Sequence, residues 1–197
     1  MRVFPNKVKR LWKSLKEISM YLLGASGHGK VIAEIAEAND STIEGFIDED
    51  KSKKMLLGYN VIHEFPKQPV ELIVSIGNNT IRKKIVGKTK GASYQTLIHP
   101  KTYISQRAVI AEGTVIMAGV SLNSCVTIGR HCIINTNASV DHDCIIGDYV
   151  HISPNAALAG NVTVGEGTHV GIGASIIQGI KIGKWCTIGA GTVIIRD

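Results

Sequence analysis

A histidine flanked by carboxylates is the clearest candidate for proton-transfer chemistry in this sequence. His142 lies between Asp141 and Asp143, and a carboxylate beside an imidazole fixes its tautomer and stabilises its protonated form. His142 is therefore a candidate general base, with a flanking carboxylate to support it. The alternative interpretation is an exposed histidine at a polar corner of the fold. His131, His151 and His169 are further candidates in the same half of the chain.

The elements that must position these histidines follow a strict period of six. Every sixth residue from Ile104 to Ile194 is Ile, Leu or Val, and a small or β-branched residue follows four positions later. A parallel β-helix produces this period, since each short strand sends one aliphatic side chain into a narrow axial core. The repeat resembles that of the left-handed β-helix in acyltransferases, where three hexapeptides make one triangular coil. Residues 99–197 are predicted to form this domain.

Positions three hexapeptides apart stack in neighbouring coils at about 4.8 Å. This spacing puts Gly160 above His142, where the backbone N–H of a glycine can hold a developing oxyanion. It also stacks His169 on His151.

The cysteines are predicted to be thiols. Cys132, Cys144 and Cys186 occupy the small inward position of the repeat. Cys132 and Cys186 share a face but lie three coils apart, about 14 Å, which is too far for a disulfide. Core thiols indicate a reducing compartment, so we expect a cytoplasmic protein. No C-x-x-C pair argues for zinc.

Residues 20–98 alternate strand-like and helix-like segments, which predicts a small Rossmann-like α/β domain with a parallel sheet. Ligands of such sheets bind beyond the carboxyl ends of the strands. The loop Gly24–Gly29 lies at one such end, but its G-x-x-G-x-G pattern is not the dinucleotide fingerprint. It can approach a phosphate or sugar, or it is a plain strand-to-helix turn. The predicted strands are Met20–Leu23, Ile43–Ile47, Val70–Ile76 and Tyr94–Ile98, and the predicted helices follow Lys30 and span Thr80–Lys88.

The net charge of +6 first suggests nucleic acid or a membrane surface as a partner. Residues 1–19, which we call the leader, carry +5 of this charge. The rest of the chain is nearly neutral, so nucleic acid is not expected as a partner. In this leader, Val8, Leu11, Trp12 and Leu15 have amphipathic helical spacing. A weak membrane-surface contact is one interpretation, and a leader without function is the other. No secretory signal is predicted, because no continuous apolar segment follows the basic residues.

The motifs together resemble the bacterial sugar acyltransferase family of the NeuD and PglD type, and they come closest to UDP-amino-sugar N-acetyltransferases. The resemblance covers nearly all of residues 20–196. Its motifs are YLLGASGHG from Tyr21, FIDE from Phe46, SIGNNTIRKK from Ser75, IHP from Ile98, NT from Asn135, HDCIIG from His142 and AGNV from Ala159.

The resemblance implies a homotrimer with active sites between adjacent β-helices and acetyl-CoA as co-substrate, without a metal. It implies that His142 is the general base, that Asp143 supports it and that Asn135 lies near the acceptor amine. It implies acetyl-CoA binding by His151, Gly160 and His169. It implies that the N-terminal domain binds a nucleotide-linked amino sugar through Gly24, Ser26, Gly27, His28, Gly29, Asp48, Glu49, Asn78 and Asn79.

The predicted activity is direct attack of the sugar amine on the thioester, with no acyl-enzyme. An O-acetyltransferase of the sialic acid type would use the same His142. A metal enzyme of the γ-carbonic-anhydrase kind would need three histidines at a subunit interface. A trimer that binds a nucleotide sugar without catalysis is the alternative of another class. In the family that it resembles, the chain usually continues past the last coil with a Val-Pro-Ala-Lys segment that helps cover CoA. This sequence stops at Arg196-Asp197, so one expectation is that CoA is held more loosely.

Overall fold

The computed structural model describes residues 19–67, 69–89 and 91–197. The predictions for the leader, including its amphipathic spacing and its membrane contact, fall on residues 1–18 and lie outside the described residues. Within those three described ranges, no helix is long and apolar enough to cross a bilayer.

The described chain begins with a six-stranded sheet and two helices. The elements are β1 (Ser19–Leu23), α1 (Gly27–Glu37), β2 (Thr42–Ile47), β3 (Met55–Leu56), β4 (Tyr59–Ile62), β5 (Glu71–Val74), α2 (Asn79–Lys88) and β6 (Ser93–Tyr94). The strand order is β3-β4-β2-β1-β5-β6. All neighbours pair in parallel except β3 and β4, which form an antiparallel hairpin that the sequence did not predict.

From Leu97 the chain forms a β-solenoid of two-residue strands. Counted over the described residues, 17 strands make three parallel sheets of six, six and five. They are β7 (Leu97–Ile98), β8 (Tyr103–Ile104), β9 (Val109–Ile110), β10 (Val115–Ile116), β11 (Ser121–Leu122), β12 (Thr127–Ile128), β13 (Ile133–Ile134), β14 (Ser139–Val140), β15 (Ile145–Ile146), β16 (His151–Ile152), β17 (Ala157–Leu158), β18 (Thr163–Val164), β19 (His169–Val170), β20 (Ser175–Ile176), β21 (Lys181–Ile182), β22 (Thr187–Ile188) and β23 (Val193–Ile194). Each strand pairs with the one three hexapeptides later, as in Val115 with Ile133. The predicted fold, an α/β sheet followed by a hexapeptide β-helix, is confirmed.

The three sheets are the faces of a triangular coil. The first face carries β7, β10, β13, β16, β19 and β22, the second starts at β8, and the third starts at β9. From Gly113 to Gly191, every sixth residue stands at a corner with positive φ, for example Asn137 (φ 58°), Asp143 (φ 60°) and Tyr149 (φ 59°). Because most side chains disfavour this region, the corners favour Asn, Asp and Gly.

The predicted aliphatic column forms the axis of the solenoid, with Ile116 to Ile176 fully buried. Its ends, such as Ile104 and Ile194, are only partly buried because a terminal coil has a neighbour on one side only. Cys132 and Cys144 are buried thiols, whereas Cys186 is partly exposed near the end.

The predicted strand Tyr94–Ile98 is wrong as a single element. Tyr94 pairs with Leu72 in the first sheet, whereas Leu97 pairs with Val115 in the solenoid. The N–H of Gln95 still donates to Leu72, and two residues later the N–H of Leu97 donates to Thr114. The chain therefore passes from one sheet to the other at Thr96.

Helix α1 packs on the first face of the solenoid. Its buried residues, including Ile32 and Ile35, share one apolar cluster with the outward side chains of Leu97, Val115 and Ile133. The next outward positions along that face are His151, which is half-buried, and His169, which is exposed. The apolar cover thus ends where the two histidines begin.

Core packing makes a stability prediction at Ile134, which is 0% exposed in the axial column. We expect Ile134→Ala to lower the free energy of unfolding by about 2–5 kcal/mol, because it removes buried methyl groups and leaves a cavity. The matched Ile134→Val variant removes one methylene and should cost only about 0.5–1.5 kcal/mol. Urea denaturation followed by circular dichroism measures both values, and equal losses in the two variants would contradict this packing.

Candidate active site

His151 and His169 stack on the first face, as the spacing of the coils predicts. Their ring centroids are 4.8 Å apart with an interplanar angle of 8°. The Nε2 atom of His151 lies 3.0 Å from Asn135 Nδ2, and that of His169 lies 2.8 Å from Ser153 Oγ. Burial lowers the pKa of His151 to about 3, and the neighbouring His169 lowers it further. Both rings are therefore neutral hydrogen-bonding groups at neutral pH.

His28, in the first turn of α1, lies beside His151. Its ring centroid is 6.5 Å from that of His151. Burial, with a contribution from Arg82, lowers the pKa of His28 to about 4, and its buried Nε2 has no protein partner among the described residues. The structure thus brings a residue predicted for the acceptor together with one predicted for acetyl-CoA.

A cleft of about 410 Å³ opens between α2 and these histidines. Its walls include residues Gly77–Thr80, the two stacked histidines and Trp185. The side chains of Asn78 and Asn79 have other partners. Asn78 accepts a hydrogen bond from the N–H of Ile81 and caps the helix, and Asn79 donates to the carbonyls of Gly167 and Thr168.

A second cavity, of about 560 Å³, lies at the carboxyl ends of β1, β2 and β5. Gly24, Asp48 and Glu49 line it as predicted, and His63 and Lys84 do so without having been predicted. Burial opposes the charged form of Asp48, but hydrogen bonds from Lys53 and from the N–H groups of Asp50 and Ala25 outweigh it and hold its pKa below its usual range. Asp48 is therefore ionised and paired with Lys53 at 2.8 Å, and Lys84 and Lys88 add positive charge to the lining.

The glycine loop has a packing explanation for two of its three glycines. A Cβ on Gly24, whose φ is +113°, would lie 2.7 Å from Ile76, and a Cβ on Gly29 would lie 2.7 Å from the Gly24 carbonyl. Gly27 has open space around it, and Ser26 beside it is exposed at the start of α1. Gly27 and Ser26 are thus the loop residues with room for a ligand.

His142 stands at the corner between the second and third faces. Its Nδ1 is 2.8 Å from Asp143 Oδ2, and its backbone N–H donates to Asp141. The hydrogen bond to Asp143 and the charge of Asp141 raise the pKa of His142 above its usual value. The side chain is half exposed, which leaves Nε2 open to a substrate.

Gly160 packs against the His142 ring, as predicted. A Cβ at Gly160 would lie 2.6 Å from both Cε1 and Nε2 of the imidazole. A residue with a side chain would therefore collide with the His142 ring in its present position. Among the described residues, no hydrogen-bond acceptor faces the Gly160 N–H. That N–H is unbonded and lies close to the base, in a residue that the His142 ring covers.

The two groups of candidate residues lie on opposite sides of the coil. Asn135, His151 and His169 are on the first face, whereas His142 and Gly160 are at the corner opposite to it. One chain therefore does not bring the two groups together. Over residues 19–67, 69–89 and 91–197, no set of three or more His, Cys, Asp or Glu is placed to hold a metal ion.

His131 belongs to the core. It is 3% exposed, its ring stacks on Tyr149 with centroids 5.3 Å apart, and Tyr94 meets its face edge-on at 4.6 Å. Burial lowers the pKa of His131 to about 4, so it remains neutral.

The buried histidines predict a loss of stability in mild acid. His28, His131 and His151 have folded-state pKa values of about 4, 4 and 3, below the ordinary 6.5. The unfolded chain therefore binds more protons, and stability present above pH 6.5 is lost as the pH falls toward the folded values. We expect the urea midpoint to be lower at about pH 5 than at about pH 7, with a smaller difference in His131→Phe. A midpoint that does not change between the two pH values would contradict this.

The fold and the corner site define the class of hexapeptide-repeat acyltransferases. The family profile of the PglD N-terminal domain matches residues 19–89, and that of the bacterial transferase hexapeptide (six repeats) matches residues 125–160 and 161–196. The chain belongs to the PglD-like family of hexapeptide acetyltransferases.

Two solved structures are similar over most of their length. PerB from Caulobacter crescentus, in complex with CoA and GDP-perosamine, has 37% sequence identity and a TM-score of 0.87, covering 93% of this chain and 92% of that one. The acetyltransferase domain of PglB from Neisseria gonorrhoeae FA1090, in complex with acetyl coenzyme A, has 37% identity and a TM-score of 0.85, covering 92% and 93%.

A curated relative is similar over a shorter stretch. The UDP-N-acetylbacillosamine N-acetyltransferase of Bacillus subtilis (strain 168) is 44% identical over 109 residues, which are 49% of this chain. This stretch is 50% of the relative, so the match spans half its length.

Proposed function

We propose that this protein transfers the acetyl group of acetyl-CoA to the amine of a nucleotide-linked amino sugar. The observation that carries the proposal is the His142 corner, where Asp143 holds one ring nitrogen and a free backbone N–H stands beside the ring. The family supplies the substrate classes, because PerB was solved with CoA and GDP-perosamine and PglB with acetyl coenzyme A.

The corner geometry supports direct transfer. The amine nitrogen attacks the thioester carbon, Nε2 of His142 accepts the proton that the amine loses, and Asp143 stabilises the resulting imidazolium. The Gly160 N–H holds the oxyanion. The C–S bond then breaks with its electron pair on sulfur, and CoA leaves as the thiolate. No protein nucleophile takes part.

The acceptor and the donor meet where the first sheet joins the solenoid. We assign the nucleotide to the cavity of about 560 Å³ that Gly24, Asp48 and Glu49 line. From there the sugar reaches past His28 and the glycine loop toward His151. The acetyl-CoA side is assigned to His151, His169 and Gly160, with Asn135 near the amine. In this assignment the first sheet and its helices bind the acceptor, and the solenoid that begins at Leu97 carries out the transfer.

The separation of the two residue groups supports a homotrimer with sites between chains. His142 lies at the corner opposite the face that carries His151 and Asn135, so a neighbouring copy must supply one group. Trimers assembled from a mixture of His142→Ala and His151→Ala chains, each expected to be nearly inactive alone, should regain activity, because some interfaces then combine two intact groups. A mixture as inactive as its components would overturn the shared site. We also propose a cytoplasmic location, which fits the free thiols.

A thiol-release assay tests the function. Acetyl-CoA is mixed with the protein and with UDP-, GDP- or dTDP-linked amino sugars, and with free sialic acid in a parallel arm. We expect free CoA thiol only with a nucleotide-linked amino sugar. Release with sialic acid alone would favour O-acetylation, and no release with any acceptor would favour a binding protein without catalysis.

The raised pKa of His142 predicts the pH dependence of turnover. The base must be neutral to accept a proton, so kcat should rise with pH through an apparent pKa above 6.5. In Asp143→Asn the rise should move to lower pH, because the hydrogen bond to the carboxylate is the largest cause of the raised pKa. Asn tolerates the φ of 60° at this corner. Asp141→Asn is the matched control and should shift the profile less, and a profile unchanged in Asp143→Asn would contradict the pairing.

A further inference from the structure

Arg82 is a buried cation at the junction of the first sheet and the solenoid. Its side chain is 1% exposed. Burial lowers its pKa only to about 10, so the guanidinium is charged at neutral pH. Within the described part of the chain, no carboxylate lies within ion-pair distance of it. A buried charge without a counter-ion is costly unless hydrogen bonds replace the lost water, and here they do.

Neutral oxygens accept all five N–H groups of Arg82. Two acceptors are carbonyls at solenoid corners, two are carbonyls of the loop after β5, and one is a side-chain amide. They are His131 O at 2.7 Å, Tyr149 O at 2.8 Å, Ile76 O at 3.0 Å, Gly77 O at 3.1 Å and Asn79 Oδ1 at 2.8 Å. A guanidinium has five donors in a rigid plane, and this site uses every one.

Asn79 extends the network by one more coil. It donates to the carbonyls of Gly167 and Thr168, at 3.0 and 3.3 Å, immediately before His169. The corners at His131, Tyr149 and Gly167 follow one another at intervals of one coil, so Arg82 and Asn79 fasten the first turn of α2 to three successive coils.

The same helix turn separates the two cavities. Ile81 and Lys84 line the cavity assigned to the nucleotide, whereas Asn78 and Thr80 line the cleft beside His151 and His169. The position of α2 on the solenoid therefore sets the distance between a bound acceptor and the stacked histidines.

We propose that Arg82 is a positioning residue, which holds the acceptor cavity at the correct distance from His151 and His169 without touching a substrate. The proposal rests on the proposed function, since it assigns an acceptor to that cavity. Its structural consequence is specific: an error in the network displaces the acceptor cavity, whereas the stacked histidines, which the solenoid carries, keep their positions.

The test compares Arg82→Lys with Lys83→Met. Lysine keeps the charge but offers three donors from one point, so it does not span both solenoid corners and the β5 loop. Lys83 is the next residue, and it also contacts the solenoid, through Glu166 and the rings of Tyr149 and Trp185, but from the exposed surface. The Lys83→Met control should stay near wild type, because exposed ion pairs contribute little.

The rates are measured per CoA-binding site, counted by calorimetry, so that loss of folded protein does not mimic loss of turnover. We expect Arg82→Lys to lower kcat by about 10²-fold, the typical effect of a displacement of about 1 Å at a reacting centre. The KM for acetyl-CoA should stay within about twofold. The less conservative Arg82→Gln should show the same pattern, with a larger loss of kcat.

Three results would overturn the inference. A wild-type kcat per site in Arg82→Lys would remove the positioning role. If neither Arg82 variant folds while Lys83→Met does, Arg82 serves stability alone. If the wild-type protein transfers acetyl to no acceptor, the proposed function has failed, and the assignment of Arg82 fails with it; activity of the wild type separates this case from the first two.

Discussion

His142→Ala is expected to lower kcat by about 10²-fold or more, the usual effect of removing a general base. This corresponds to about 2.7 kcal/mol of transition-state stabilisation. The loss should appear in kcat rather than in the KM for acetyl-CoA, because His142 Nε2 acts on the amine proton. The side chain is half exposed, so the fold should not suffer. Steady-state thiol release gives both constants.

His99→Ala is the matched control for that substitution. The His99 ring accepts a hydrogen bond from the N–H of Lys101 and stands apart from the candidate site. Its removal should leave kcat within about twofold of wild type. Near-normal turnover in His142→Ala, with the control also active, would remove His142 from the mechanism.

Gly160→Ala is expected to reduce kcat by a similar factor, about 10²-fold, although it adds a single methyl group. The new Cβ would lie 2.6 Å from Cε1 and Nε2 of His142, so the ring must move away from its position. The displaced imidazole loses its alignment with the amine and covers the N–H that holds the oxyanion. Gly160 does not need positive φ, so alanine fits the backbone.

Gly183→Ala separates this effect from a general intolerance of the solenoid to alanine. A Cβ at Gly183 meets only Cys186 Sγ, at 3.4 Å, an ordinary contact. This variant should keep wild-type turnover and thermal stability. If Gly160→Ala is as active as Gly183→Ala, the His142 ring does not depend on the space that glycine leaves.

The sequence predicted the solenoid contacts well because its period is rigid. Once three hexapeptides make a coil, the stacking of His169 on His151 and of Gly160 on His142 follows from arithmetic alone, and both contacts are present. The partial exposure of Cys186 differs from its predicted core position because it lies near the open end, where no further coil covers it.

The contacts between the sheet and the solenoid did not follow from any period. The closeness of His28 to His151 depends on how α1 docks on the first face, which is a tertiary property. The role of Arg82 was hidden for the same reason, although the residue stands inside a motif that the resemblance singled out. His131 has the residue type of a base, but its burial between two tyrosines became visible only in three dimensions.

The hairpin of β3 and β4 was missed because its strands are short and it sits at the sheet edge. Two- to four-residue strands leave too little alternation to identify by pattern. In helix α1, Val31 is exposed, whereas the smaller Ala33 is buried beside Ile32. A small residue such as alanine can face the core although it adds little to the hydrophobic pattern of the sequence.

Product analysis tests the central claim most directly. After reaction with acetyl-CoA and the nucleotide-linked amino sugar that releases thiol, mass spectrometry should find one acetyl group on the sugar and none on the protein. The acetyl group should survive hydroxylamine, which cleaves esters and thioesters but not amides. An acetyl group removed by hydroxylamine would show transfer to a hydroxyl, and an acetylated protein intermediate would contradict direct attack by the amine.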